Sequence, residues 1–499
     1  MDRGLQDLRA RLAEITDLNH AASVLSWDQM TYMPPGGAEA RARQTAMLQR
    51  LAHEKATDPA LGRLLDSLRP LENKLGYDSD DASLIRVARR NYDIVTKVPI
   101  EFAARMFLLQ AESYEAWARA RPKNDFKGVY PYLEKVMAYS REYSEFFPGY
   151  GHVMDPLISN FDYGVKARTI RKVFRELRAE LVPLVRKIRD AEQVDDSCLH
   201  GKFPTDLQAK FNRLVAERMG YDFQRGRIDE TPHPFTTNFS IGDVRITTRY
   251  HEDYLGAALF STIHETGHAL YEQGPDPALE GLLGTGAGMG IHESQSRLWE
   301  NQVGRSMEFW KYFYPALRKA FPEKYKGVRL PDFYRAINRV EPSLIRVAAD
   351  EVTYNLHIMI RFDLECALME GKLSVKELPE AWNDRYLSDL GVSSKTYADG
   401  VMQDVHWFSA YIGYFQSYAL GNLLSAQLYD AALKAKPAIR SEIATGKFST
   451  LLGWLRKNVH RHGLKFTTDE LLERCGVGGI EVGPFMDYLR KKYKGVYGL

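Results

Sequence analysis

The chain has 499 residues, long enough for a large buried core, and its 67 Lys+Arg against 65 Asp+Glu leave a formal charge of +2. That near-neutral balance excludes the broad basic field expected of a nucleic-acid-binding protein. No apolar run approaches the length of a membrane span, and the three cysteines, Cys198, Cys366 and Cys475, form no C-x-x-C pair. Their wide spacing argues against a disulfide framework and for a reducing compartment. The N-terminus begins with a charged amphipathic pattern and lacks the apolar core of a signal peptide, so the expected location is cytoplasmic.

In chain order, apolar residues recur at helical spacing over Leu5 to Ile15, Ala38 to His53, Leu84 to Thr96, Tyr130 to Phe147 and Thr169 to Ala191. Pro34-Pro35-Gly36-Gly37 reads as the turn between the first two helices. The basic stretch from Lys166 to Arg189 carries Val173, Leu177, Leu181 and Leu184 at helical period, which reads as a solvated helix face. The β-branched and aromatic runs Phe235 to Ile241 and Val244 to Thr248, split by Gly242-Asp243, predict a small antiparallel hairpin. A largely apolar helix follows through Tyr254 to Tyr271 and stops at Gly274-Pro275. Five glycines between Gly281 and Gly290 suggest a mobile loop. A helix carrying Glu293 comes next, and another helical pattern runs from Val347 to Met369. With no linker and no internal repeat, the expectation is one unit over residues 1–499. It is mainly α, a large helical body with a deep groove and a minor sheet at its wall.

The chemistry concentrates in His264-Glu265-Thr266-Gly267-His268. Histidines four apart share one helix face and can hold one metal ion. Glu265 is placed to take a proton from a water that the metal acidifies. A third ligand is needed. The metzincin pattern would put a histidine at position 274, which is glycine. Glu293, on the next helix, is the best third ligand by type and reach, with Glu300 its rival two turns on the same face. Glu272 is too close along the first helix to converge with both histidines. His292 is either a supporting donor or a polar helix-start residue. Gly267 within the helix predicts close approach of another backbone or of a substrate.

Ordered motifs then carry a resemblance. They are Ser26-Trp27-Asp28-Gln29, Met33 to Ala38, His233-Pro234-Phe235, Asp243 to Thr247, the His264 to His268 stretch, His292 to Gln295, Ile345 to Asp350 and Gly400 to Trp407. Over essentially its full length the chain resembles the carboxypeptidase Taq family of metallopeptidases. The resemblance implies release of single amino acids from peptide C-termini with broad specificity, and a homodimer. It also implies a helical fold of gluzincin type, similar to the angiotensin-converting enzyme and neurolysin group. It gives the metal to His264, His268 and Glu293 and the base role to Glu265. Zinc is the default, cobalt an alternative, one ion per chain.

A carboxypeptidase must grip a terminal carboxylate, for which Arg245 and Arg346 are candidates, with Asp350 one turn from Arg346 as its expected partner. The resemblance implies that His233-Pro234-Phe235 and the Asp243 to Thr247 segment wall off one end of the groove. By analogy with the angiotensin-converting enzyme group, His406 and Tyr414 would stabilise the tetrahedral intermediate and Tyr411 would help hold the carboxylate. Gln403 and Asp404 are read as supports. The residues alone leave open dipeptide release, internal cleavage, and a helical scaffold in which the motif is incidental.

Overall fold

A computed structural model describes residues 2–499 and gives a mainly helical protein with one three-stranded sheet. Helix α1 (Arg3–Thr31) starts at Asp2, whose carboxylate accepts from the amides of Gly4 and Leu5. It runs far past its predicted end at Ile15. Only Ala22 and Trp27 are buried in its second half, so little apolar periodicity marks that stretch. The prolines and glycines at 34–37 form the turn into α2 (Ala38–Ala56), as their residue types predict. Helix α3 (Asp80–Lys97) is capped by Ser79, with Asp80 and Asp81 in its first turn and Lys97 in its last. Helices α4 (Tyr130–Glu145) and α5 (Ala167–Asp190) match expectation to within two residues at each end.

The predicted hairpin is present as β2 (Thr236–Ser240) and β3 (Asp243–Thr248), paired antiparallel, with Thr237 opposite Arg245. It is not a free hairpin. Strand β1 (Ile228–Glu230) pairs parallel to β3, which makes a mixed sheet of order β1-β3-β2. Three residues, two of them acidic, carry no alternation that a sequence could reveal. Val244 and Ile246 bury one face of β3 against the body.

Helix α6 (Leu255–Glu272) follows, apolar almost all round and buried on nearly every side. Helix α7 (Met289–Arg297) continues without a break into a six-residue π-turn, Leu298–Val303. Helix α8 (Tyr354–Met369) begins seven residues later than Val347, because the Asp350 carboxylate accepts from the amides of Val352 and Thr353 and holds a turn there. Helix α9 (Gln416–Ala435) packs along α7. One hydrophobic core runs from Leu109 to Tyr497, and a smaller one joins α1 and α3 to Leu279 and Leu283. All three cysteines are free. Among the described residues no helix is long and apolar enough to cross a membrane.

Candidate metal centre

Two glycines let the helices that carry the candidate ligands come together. A Cβ at Gly267 would stand 2.6 Å from the Cα of Ser296, and one at Gly421 would stand 2.5 Å from the Cβ of Glu293. Helix α7 is therefore clamped between α6 and α9 at a separation that only glycine permits. The glycine-rich loop before it serves the same end. Its Gly286 amide donates to Glu272, its Ala287 amide donates to the Tyr271 hydroxyl, and only Gly281 has positive φ. Gly284, Gly286, Gly288 and Gly290 each stand where a Cβ would come within 3.0 Å of a neighbour, and Gly281 supplies the positive φ.

The result is a convergence of His264, His268 and Glu293, the one such cluster of metal-ligating side chains among the described residues. The Nε2 atoms of the histidines lie 3.6 and 3.4 Å from Oε2 of Glu293. Ligands about 2.05 Å from a tetrahedral metal stand ~3.3 Å from one another, so these gaps fit a shared ion. The histidine side chains keep 17 and 14 % of their surface open, so the site can be reached from outside.

The far side of each ligand is fixed. His264 Nδ1 lies 2.9 Å from Glu300, which places Glu300 behind the ligand set and not in it. His268 Nδ1 lies 2.6 Å from Nδ1 of His292, whose Nε2 lies 2.7 Å from Glu272. Since Glu272 only accepts, His292 donates from Nε2 and accepts at Nδ1, and His268 donates from Nδ1. Its Nε2 lone pair is thereby turned toward the site. Arg297 donates to Oε1 of Glu293 at 2.7 Å and to Glu300 at 3.1 Å, which leaves Oε2 of Glu293 for the metal. Its place four residues after Glu293 made it legible in principle from sequence. The π-turn carries Glu300, as such turns often do at functional sites.

Burial works against charge on Glu293 and Glu300, but Arg297 and the histidines outweigh it and hold both carboxyls well below their usual range. Burial lowers His268 to about 3, so its ring is neutral, as a metal ligand's must be. Burial also raises Glu265, against the pull of His264 and of Thr236. Thr236 on β2 donates to Oε2 of Glu265 at 2.6 Å, a contact between elements that no local pattern announces.

The loop from Gly400 to Phe415 brings in the remaining candidates. His406 Nε2 is 3.2 Å from the Tyr418 hydroxyl, and its ring stacks on Tyr414 at 5.6 Å. Burial and the nearby Arg346 lower His406 to about 3. Tyr414 is pushed up to about 12, chiefly by burial, and both it and Tyr418 feel the Glu293 charge. Tyr418, missed in the sequence reading, thus belongs to this group. Tyr411 lies at its exposed rim, 5.9 Å from Tyr414.

Arg346 is buried, and its partner is Asp404, with bonds of 3.0 and 2.8 Å, not Asp350. Its third bond goes to the Tyr354 hydroxyl at 3.0 Å, and Gln403 accepts from its backbone amide. Asp404 also accepts from Arg361. Arg245 is held in a two-toothed pair by Asp243, two residues before it, and lies 4.3 Å over the Trp27 ring. His233 is exposed in the loop between β1 and β2 and bonds only through its carbonyl.

Two neutral-capable imidazoles and a carboxylate at tetrahedral spacing, with a buried glutamate beside them, are the donor set of a metal-dependent hydrolase. The chain belongs to the carboxypeptidase Taq (M32) metallopeptidase family, whose family model matches residues 7–493, and it is a metallocarboxypeptidase. It is 41% identical over 99% of both chains to thermostable carboxypeptidase 1 of Thermus thermophilus. It is 37% identical over 97% of both chains to carboxypeptidase 1 of Bacillus subtilis. Among solved structures it is similar to the M32 carboxypeptidase of Deinococcus radiodurans R1, with a TM-score of 0.97 and 44% identity over 100% of both chains.

Proposed function

We propose that the protein removes single amino acids from peptide C-termini with broad specificity, using one zinc or cobalt ion held by His264, His268 and Glu293. The observation that carries the reading is the pair of Nε2 to Oε2 distances, 3.6 and 3.4 Å, with every far-side ligand atom already engaged. When bound, the ion would supply a Lewis acid for the scissile carbonyl and make a water acidic near neutral pH.

The chain's own residues do the rest. Glu265, raised by burial and oriented by Thr236, takes the proton of the attacking water and returns it to the leaving amine. Tyr414, whose elevated pKa keeps its proton, donates to the developing oxyanion together with neutral His406. Arg346 keeps two of its five N–H groups after three bonds, and these with Tyr411 take the terminal carboxylate. Arg245, braced by Asp243 and Trp27, and His233 close the far end of the groove, so that one residue fits beyond the scissile bond. The fold is of gluzincin type. The continuous core from Leu109 to Tyr497 supports one catalytic domain over 1–499, and the family resemblance supports a homodimer acting on peptides in the cytoplasm.

The test is mass spectrometry of an N-acetylated peptide with and without chelator. Stepwise loss of one C-terminal residue, stopped by chelator and restored by zinc or cobalt, is expected. Internal fragments or two-residue steps would overturn the closed groove, and no cleavage with metal supplied would overturn the reading.

A further inference from the structure

A second cavity, of about 400 Å³, opens between α3 and the segment that precedes α5. Its walls are aromatic: Tyr77, Phe147, Tyr150, Tyr163 and Phe466. Its charge comes mainly from α3. Arg86, Arg90 and Lys97 lie on one stripe of that helix, because spacings of four and eleven residues return to the same face.

Among the described residues, neither Arg86 nor Arg90 has a carboxylate within 4.0 Å, and Lys97 has none either. Arg89 and Lys465, also in the wall, are paired with Asp66 and Asp80. The acids in the wall leave Arg90 and Lys97 without a paired carboxylate. Glu470 accepts from the Thr467 amide and the Tyr77 hydroxyl, and Asp93, on the same stripe, makes no ion pair. Arg86 stacks 3.8 Å over Tyr77 and spends its terminal nitrogens on Ser83 and on backbone carbonyls. Arg90 lies 4.4 Å over Tyr163, and only its Nε is bonded, to Asn91 at 3.3 Å. Its guanidinium fork faces the cavity half-buried, and burial lowers its pKa. A half-buried guanidinium with no carboxylate partner in its own chain is suited to take an anion from outside.

A short turn, Phe161 to Tyr163, links the cavity to the Tyr414 side of the candidate centre. Phe161 meets the Tyr414 ring edge-on at 4.8 Å. Asp162 accepts from the Gly290 amide at 2.6 Å, in the first turn of the helix that carries Glu293. Tyr163, the next residue, lines the cavity. Two residues span at most about 7 Å of backbone, so Phe161, at the Tyr414 ring, and Tyr163, in the cavity wall, are held close together.

We propose that this cavity is a subsite for an acidic side chain of the peptide substrate, upstream of the scissile bond, with Arg90 gripping its carboxylate and the tyrosines flanking its stem. The assignment rests on the carboxypeptidase reading, since one residue beyond the scissile bond leaves the rest of the peptide on the upstream side.

The experiment compares kcat/KM for N-acetylated peptides with one constant C-terminal residue and either Glu or Gln at each of roughly five upstream positions. At one position the wild-type protein is expected to favour Glu by about tenfold, equivalent to ~1.4 kcal/mol. Arg90→Gln brings that ratio to within about twofold of one, and Arg90→Lys restores part of it. A ratio near one at every position in the wild type, or a ratio that Arg90→Gln leaves intact, overturns the proposal. Failure of the wild type to release the C-terminal residue from the Gln peptides would instead refute the carboxypeptidase reading, and the subsite with it.

Discussion

Replacing Gly421 by alanine tests whether helix spacing sets the metal site. The added Cβ would stand 2.5 Å from the Cβ of Glu293 and 3.0 Å from its carbonyl carbon. Ordinary carbon contacts are about 3.5–4.0 Å, so α7 and α9 must part by roughly 1 Å. Both are packed on their other sides, α7 against Gly267 of α6, so Glu293 cannot retreat without disturbing a second clamp. Overpacking of this kind costs about 1–3 kcal/mol in stability. The effect on metal is larger in proportion, because ligand distances tolerate only about ±0.2 Å. We expect zinc affinity, measured by competition with a chromogenic chelator, to fall by at least about tenfold. The control is Gly453→Ala, at an exposed helical glycine whose Cβ meets nothing within 4 Å. That change should leave metal affinity alone and raise stability by about 0.5–1 kcal/mol. If Gly421→Ala bound zinc as the wild type does, the clamp would not be what positions Glu293.

Other residues yield further tests. Thr236→Val removes the donor to Glu265 and should lower kcat by about tenfold at unchanged metal content. Because Thr236 lowers the Glu265 pKa, the acid limb of the pH–rate profile should move to higher pH, and an unmoved limb would refute its orienting role. Buried Glu365 accepts from the Trp407 indole at 2.7 Å and the Gly413 amide at 3.2 Å, and burial raises it from 4.5 to about 8. A raised acid stabilises the folded state fully below its unfolded pKa, and that contribution is gone once pH has risen through about 8. From 4.5 to 8 the loss amounts to ~5 kcal/mol. Glu365→Gln should flatten this decline between pH 4.5 and 8 in denaturant unfolding at a cost of about 1 kcal/mol, since an amide can accept only one of the two bonds. An unchanged slope would show that Glu365 is not its source.

The convergence of His264 and His268 was legible because a four-residue spacing fixes a helix face, and that of Glu293 because few carboxylates could reach them. Gly267 was legible too, since a glycine inside a buried helix has few other uses. What escaped the sequence lies across elements. Thr236 sits 29 residues before Glu265, and Asp404 comes 58 residues after Arg346, displacing the nearer Asp350 as its partner. His292 has two readings from sequence, and the contact that decides between them is with Glu272, 20 residues earlier on another helix. Strand β1 was invisible because its three residues pair only with a strand that lies 18 residues away.

The most direct test of the account is the metal content and peptide turnover of Glu265→Gln beside the wild type. One ion per chain in both proteins, with turnover abolished only in the variant, is the predicted result: the ligands are His264, His268 and Glu293, and Glu265 moves the proton. Substantial residual activity in the variant, or loss of its metal, would contradict that division of roles.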